Sequence, residues 1–206
     1  MKPIFFRDRK PFDYLINYVR SHWLSKPNRI PYRLLSVPCS TGEEPYSIAM
    51  TLMEAGLSSN QFRIDAMDIS KQVIVKAQQG IYGKNSFRGE DFVDRNRYFR
   101  QTSEGYEVCS FVRSTVNFQQ SNILNLSSII KAKYDIIFCR NLLIYLEPSA
   151  CTQVFNILYS LLVTDGLLFV GSAETGKTPS NLFTSISQPS VFAYHQSRSL
   201  NHHRYQ

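Results

Sequence analysis

The apolar positions of the chain gather in short, near-continuous runs, and between them lie longer stretches whose apolar residues recur at helical spacing. "RLLSVP" (33–38), "FRIDAMD" (62–68), "YDIIFCRN" (134–141) and "GLLFVGSAE" (166–174) are runs of the first kind and predict buried strands. "EEPYSIAMTLMEAG" predicts a helix with Pro45 in its first turn and Gly56 just past its end. "KQVIVKAQQG" predicts another, with Ser70 as N-cap and Gly80 as its stop, and a third runs from about Ser149 to Leu162. Continuous strands alternating with amphipathic helices imply an α/β fold with a mainly parallel sheet covered on both faces.

Two segments break the alternation. Between Gly80 and Asn122 a charged helical piece is followed by "GYEVCSFVR" and "STVNF", read as antiparallel strands of a small β-subdomain at about 98–118. Near the end, "LFTSIS" and "SVFAYHQ" flank the turn "QPS" (188–190) and predict an antiparallel C-terminal hairpin closing the parallel sheet. The chain thus divides into an N-terminal arm (1–33), an α/β domain (34–194) and a tail (195–206) expected to be disordered.

Charge sharpens this division. The formal charge of +7 is uneven: residues 1–33 hold eight Lys/Arg against Asp8 and Asp13, whereas 34–194 hold thirteen bases and fourteen acids. The body is neutral and the arm is basic. A nucleic-acid reading needs a basic face interleaved with exposed aromatics, and a basic arm that meets an acidic protein fits the charge equally well; the expected partner is such a protein and not nucleic acid. With 206 residues, 43% of them hydrophobic, the chain can bury a core of its own. Cys39, Cys109, Cys139 and Cys151 show no CxxC pairing and the histidines no ligand spacing, so the expectation is a reducing cytoplasm and no metal. "MKPIFFRDRK" lacks a signal-peptide pattern, and no apolar run approaches the ~20 residues of a membrane span.

In an open parallel sheet, ligands bind beyond the carboxyl ends of the strands. Those ends carry the turn "CSTGEE" (39–44), Asp68, Asn122, the pair Arg140 and Asn141, and "GSAE". An acid ending the second strand, about two dozen residues after a small-residue turn, is placed to accept both hydroxyls of a ribose. The turn itself has only Gly42 in place of GxGxxG, and Glu43 and Glu44 would repel a pyrophosphate, which argues against a dinucleotide. A nucleoside bearing positive charge remains, and S-adenosylmethionine matches: a diol for Asp68, a sulfonium and an ammonium for the acidic turn, an adenine for apolar side chains. Blander roles stay open. Acids in a first turn favour the helix dipole, Asp68 can cap the next helix, Arg140 can pair with an acid, and Tyr145 and Phe138 can be core aromatics.

The runs "FFRD" (5–8), "CSTGEEPYSIAM" (39–50), "AMDIS" (66–70), "AQQGIYG" (77–83), "RYF" (97–99), "VNFQQSNIL" (116–124), "YDIIFCRNLLIYLE" (134–147) and "DGLLFVGSAE" (165–174) stand in an order and spacing that resemble the CheR family of chemotaxis receptor protein-glutamate O-methyltransferases, over residues 4–194. The resemblance implies a class I S-adenosylmethionine-dependent methyltransferase fold, S-adenosylmethionine as donor with S-adenosylhomocysteine as product, and glutamates on the cytoplasmic helices of methyl-accepting chemotaxis receptors as acceptors. It implies donor contacts from Arg7, Glu44, Asp68, Asn122, Ile123, Arg140 and Asn141, with Glu43 open as a further one, and catalytic positions at Arg7 and Tyr145. A donor-binding signalling module with weak turnover is the alternative. The sequence also departs from the family. Members carry a basic helical domain ahead of FFR, and this chain starts almost at the motif; the Asn and Thr preceding FFR fall on Met1 and Pro3, implying two missing contacts and weaker donor binding. The serine of the family's GxSE pattern is Ala173, while Glu174 is in place.

Overall fold

A computed structural model describes residues 3–25, 31–88, 93–130 and 132–197; of the tail 195–206 expected to be disordered, His195 and Gln196 instead end the last strand, where they pair with its neighbour, and the residues from 198 onward lie outside the described residues. In chain order, helix α1 (Lys10–Tyr18) precedes β1 (Tyr32–Ser36), α2 (Glu43–Ala55), β2 (Phe62–Asp68) and α3 (Lys71–Gln79). Short elements follow: β3 (Ile81–Tyr82), α4 (Arg95–Tyr98), β4 (Phe99–Gln101), β5 (Tyr106–Val108) and α5 (Ser110–Arg113). Then come β6 (Val116–Gln120), α6 (Leu126–Ile129), β7 (Tyr134–Cys139), α7 (Pro148–Leu161), β8 (Leu162–Val170), β9 (Phe183–Ser185) and β10 (Ala193–Gln196).

Seven strands form one sheet in the order β6-β2-β1-β7-β8-β10-β9. The first five run parallel, and the expected C-terminal hairpin supplies the last two, with β10 antiparallel to both β8 and β9. Alternation along the strands explains why they read as continuous apolar runs. Leu34, Ile136, Phe138, Leu167 and Phe169 point into a core shared with Phe12 of α1 and Ile48 and Leu52 of α2. Their neighbours Leu35, Ile137, Cys139, Leu168 and Val170 point into a second core with Val154, Phe155 and Leu158 of α7. Each face needs its own apolar set because each is covered by helices.

The N-terminal segment is more than a charged arm. Phe12, Leu15 and Val19 recur at helical spacing and are buried, and Phe12 stacks at 6.2 Å on Phe138, which itself stacks at 4.3 Å on Phe169. Arg9 precedes α1, Lys10 begins it and Arg20 follows it, all three exposed; within α1 Lys10 is balanced by Asp13, which also pairs with Arg9 at 3.7 Å.

The pairing expected between "GYEVCSFVR" and "STVNF" does not form. The small antiparallel sheet is β3-β5-β4, "SFVR" winds into α5, and "VNFQQ" becomes the parallel edge strand β6 of the main sheet. The reason is burial: Val116 and Phe118, two residues apart, cover Ala66 and Ile74 of the main layer. Likewise "GSAE", read as the end of a strand, is the start of a 3₁₀ turn, Ser172–Lys177. Ser70 occupies the N-cap of α3 without a capping bond from its side chain. Among the described residues no helix is long and apolar enough to cross a membrane.

Candidate active site

β1 lies between β2 and β7, so the strand order reverses there, and the carboxyl ends of β1 and β7 open a crevice. Two adjoining cavities occupy it. One, of about 300 Å³, is lined by Arg7, Cys39, Glu44, Arg140, Asn141 and Tyr145 among others. The second, of about 330 Å³, is more apolar and is lined by Ile69, Asn122, Ile123, Leu124, Leu142 and Leu146 among others. Pro38 and Asp68 line both. The donor-contact positions named from sequence therefore converge: Arg7, Glu44, Asp68, Arg140 and Asn141 on the first cavity, Asn122 and Ile123 on the second.

Asp68 sits at the junction, held by its neighbours' backbones. Its Oδ2 accepts the Ser40 N–H at 2.9 Å and its Oδ1 the Ser70 N–H at 3.0 Å. It thus serves the helix start that Ser70's own side chain leaves uncapped. Each carboxylate oxygen has a further lone pair for a ligand hydroxyl. Asn122 is oriented by the same device, its Oδ1 accepting the Leu124 N–H at 3.0 Å, which leaves its amide N–H donors available.

The acidic turn separates its two glutamates. Gly42 turns the chain with φ 96°, and a Cβ there would come within 2.7 Å of the Tyr82 hydroxyl and 2.9 Å of the Ala77 Cβ. Gly42→Ala should therefore destabilise the fold by more than about 1 kcal/mol in denaturant unfolding, since left-handed backbone alone costs an L-residue about 1–2 kcal/mol. After this turn Glu43 is buried away from the cavities, accepting from Thr41 Oγ1 at 2.6 Å and Ser86 Oγ at 3.1 Å. It joins the turn to the next loop and lines neither cavity. Glu44 lines the first cavity: its Oε1 accepts from the buried Ser36 hydroxyl at 2.8 Å, and its Oε2 lies 3.3 Å from Arg140 Nη1.

Arg140 is where the blander reading also applies, because it pairs with acids while it lines the cavity. Its side chain is buried; Nη2 bonds Asp8 Oδ2 at 2.6 Å, and Nη1 donates to Glu44 and to the Arg7 carbonyl at 3.3 Å. Its Nε is buried with no acceptor among the described residues. A half-buried carboxylate beside a guanidinium on one cavity wall is a pattern complementary to a zwitterion.

Arg7 is presented by a loop bent at both sides of it. Phe6 and Asp8 have φ of 50° and 57°, left-handed values that only surrounding structure can hold. Phe5 supplies that hold by packing within 5.0 Å of Tyr82, Phe87 and Phe99, and the Phe6 N–H donates to Ser47 Oγ at 2.9 Å. Phe138 is fully buried core, whereas Tyr145 is 73% exposed at the rim of the first cavity.

Burial pushes the Glu44 carboxyl above its ordinary pKa, against the pull of Arg140, Ser36 and Arg7. Burial, then the Asp68 and Glu44 carboxylates, push the Cys39 thiol far up, so it is a neutral thiol at pH 7 and no rival nucleophile in the cavity.

One residue that shapes this site was named from sequence only as part of the GxSE pattern, without a role. Glu174 is fully buried, and its carboxylate accepts four backbone N–H groups: Asn141 at 2.9 Å, Leu142 at 2.8 Å, Leu143 at 2.7 Å and Gly171 at 2.7 Å. A Cβ on Gly171 would meet Glu174 Oε2 at 2.7 Å, so the glycine makes room for the clasp.

Comparison with known proteins agrees with this architecture. The family model for the CheR methyltransferase, SAM binding domain, matches residues 2–192. The probable biofilm formation methyltransferase WspC of Pseudomonas aeruginosa is 44% identical over 163 residues, 79% of this chain and 39% of that protein. The chemotaxis protein methyltransferase of Escherichia coli K12 is 33% identical over 189 residues, 89% of this chain and 64% of that protein. The chain thus spans about two fifths to two thirds of the length of these relatives. The crystal structure of the DszA carbon methyltransferase shares the fold, with a TM-score of 0.51 at 13% identity, over 79% of this chain and 34% of that one. The sheet order, the crevice at β1 and β7 and the family match over residues 2–192 lead to one conclusion: this chain has the class I methyltransferase fold and belongs to the CheR methyltransferase family, through its SAM-binding domain.

Proposed function

We propose that the chain binds S-adenosylmethionine across the two cavities and transfers its methyl group to glutamate side chains of methyl-accepting chemotaxis receptors in the cytoplasm, giving methyl esters. The observation that carries the reading is Asp68 at the junction, with an apolar cavity on one side and the Glu44–Arg140 pair on the other. Asp68 receives the ribose hydroxyls, and Ile69, Ile123, Leu142 and Leu146 enclose the adenine beside Asn122. Glu44 holds the α-ammonium, and Arg140 and Asn141, beside it on the cavity wall, face the α-carboxylate. The bound donor supplies an electrophilic sulfonium methyl.

The protein's own task is placement. A glutamate of pKa about 4.3 is already an anion at neutral pH, so no general base is required. Orientation can supply on the order of 7–11 kcal/mol of the barrier. Arg7 holds the incoming carboxylate and Tyr145 its second oxygen, both from the rim of the first cavity. The basic residues of the N-terminal segment 1–33 attract an acidic helical partner. In this division of labour residues 34–194 form the donor-binding unit, and the segment before them carries Arg7 to it.

The test is radiolabelled methyl transfer to receptor-containing membranes, with the label released as methanol by base. Transfer is expected, with Arg7→Ala losing it while keeping affinity for S-adenosylhomocysteine within about tenfold, one charge-assisted hydrogen bond's worth. Donor binding without any transfer would reduce the chain to a binding module. Donor affinity should also depend on pH through Glu44. Its raised pKa means the carboxylate takes up a proton as pH falls below that value, and the protonated form cannot hold an ammonium. Calorimetry should therefore show weaker binding and proton release as the pH is lowered from 7 toward 5, and Glu44→Gln should bind weakly with a flat profile.

A further inference from the structure

The rim tyrosine raises a problem of precision. Tyr145 is 73% exposed, so no packing fixes it, and its position is inherited from the 3₁₀ turn Leu143–Tyr145 beneath it. A single turn leaves its terminal N–H and C=O groups unpaired and does not persist alone. Here both ends are taken by one short segment. The Glu174 carboxylate collects the N–H groups of Asn141, Leu142 and Leu143. Three residues on, the Lys177 ammonium donates at 2.6 Å to the Leu143 carbonyl, which also accepts the Leu146 N–H at 3.3 Å, and lies 3.5 Å from the Leu146 carbonyl; the Cys151 thiol is a second, weaker donor to the same two carbonyls at 3.4 and 3.5 Å. A negative group on the donor end and a positive group on the acceptor end both complement the turn's peptide dipoles. The end held by the buried Glu174 carries Asn141, at φ 61°, and the outer end carries Tyr145.

We propose that Glu174 and Lys177 are a pair of positioning residues that clamp the turn Asn141–Leu146 from opposite ends, Glu174 setting the donor-binding side and Lys177 setting Tyr145. The proposal rests on the methyl-transfer reading above for its kinetic consequence, and on the turn alone for its structural one. Because Lys177 is exposed, Lys177→Met keeps the aliphatic stem and the fold while removing the charge.

In the methyl-transfer assay Lys177→Met should lower kcat by about tenfold to a hundredfold, the scale of a misplacement near 1 Å, with the S-adenosylhomocysteine Kd changed less than about twofold. Lys177→Arg should restore most of the turnover. Amide hydrogen exchange at 143–146 should quicken in Lys177→Met and not elsewhere, and Glu174→Gln, if it folds, should weaken S-adenosylhomocysteine binding instead. Unchanged exchange and kcat in Lys177→Met would overturn the clamp; so would a uniform loss of stability, binding and turnover that arginine does not rescue. If the unaltered chain transfers no methyl group, the methyl-transfer reading fails, and exchange at 143–146 decides the clamp by itself.

Discussion

Replacing Asp68 with alanine is expected to abolish donor binding at any practical concentration. Two ligand hydroxyls on a carboxylate are charge-assisted hydrogen bonds of about 1.5–3 kcal/mol each, so their loss amounts to at least about a hundredfold in Kd. The loss should run deeper than contacts. Ser40 and Ser70 both direct backbone N–H groups at this carboxylate, and its removal leaves the loop after β1 and the start of α3 without an acceptor. Asp68→Asn should be nearly as damaging, since one of its positions then presents an N–H to an N–H. Calorimetric titration with S-adenosylhomocysteine measures both variants; binding within tenfold of the parent would place the ribose elsewhere.

Arg140→Met is expected to be the most destabilising single change at the site. Its side chain is 3% exposed and Glu44 is 20% exposed, so the substitution leaves a largely buried carboxylate without its cation, a defect worth about 3–5 kcal/mol against a total stability of about 5–15. The pH dependence gives the effect a signature. Without Arg140 the Glu44 pKa, already raised by burial, rises further. A folded pKa above the unfolded value means the folded state binds the extra proton, so stability is retained at acid pH and lost as pH rises through the folded pKa. The gap in Tm between parent and variant should accordingly widen from pH 5 to pH 7. Adding Glu44→Gln should recover most of the stability and none of the donor binding. A gap independent of pH would mean that Glu44 is not the charge left exposed.

Much of this site was legible because α/β folds put chemistry at strand ends, and strand ends can be counted along a sequence. Asp68, Asn122, Arg140 and Asn141 were each picked out at or just past the end of an expected strand, and all four line the crevice. Local signals did not separate Glu43 from Glu44, since adjacent residues share them; the resemblance named Glu44, and after the left-handed turn at Gly42 Glu44 meets the cavity while Glu43 meets Ser86. The support of Arg140 by Asp8 spans 132 positions and the clasp of Glu174 on the 141–143 turn about 32, so no local pattern announces either. Sequence placed "STVNF" with its neighbours in the chain; the sheet placed it beside β2, where Val116 and Phe118 find apolar cover. The basic charge of the first segment likewise hid the apolar stripe of α1, whose Phe12 and Leu15 are core residues.

Asp68 divides one elongated site into an apolar half and a charged half. A crystal structure of the chain with S-adenosylhomocysteine tests this most directly. The expected result is the ribose hydroxyls on the Asp68 carboxylate, the adenine among Ile69, Ile123 and Leu142, and the amino-acid end between Glu44 and Arg140. An empty crevice in the presence of saturating ligand, or the adenine lying on the Glu44 side of Asp68, would contradict it.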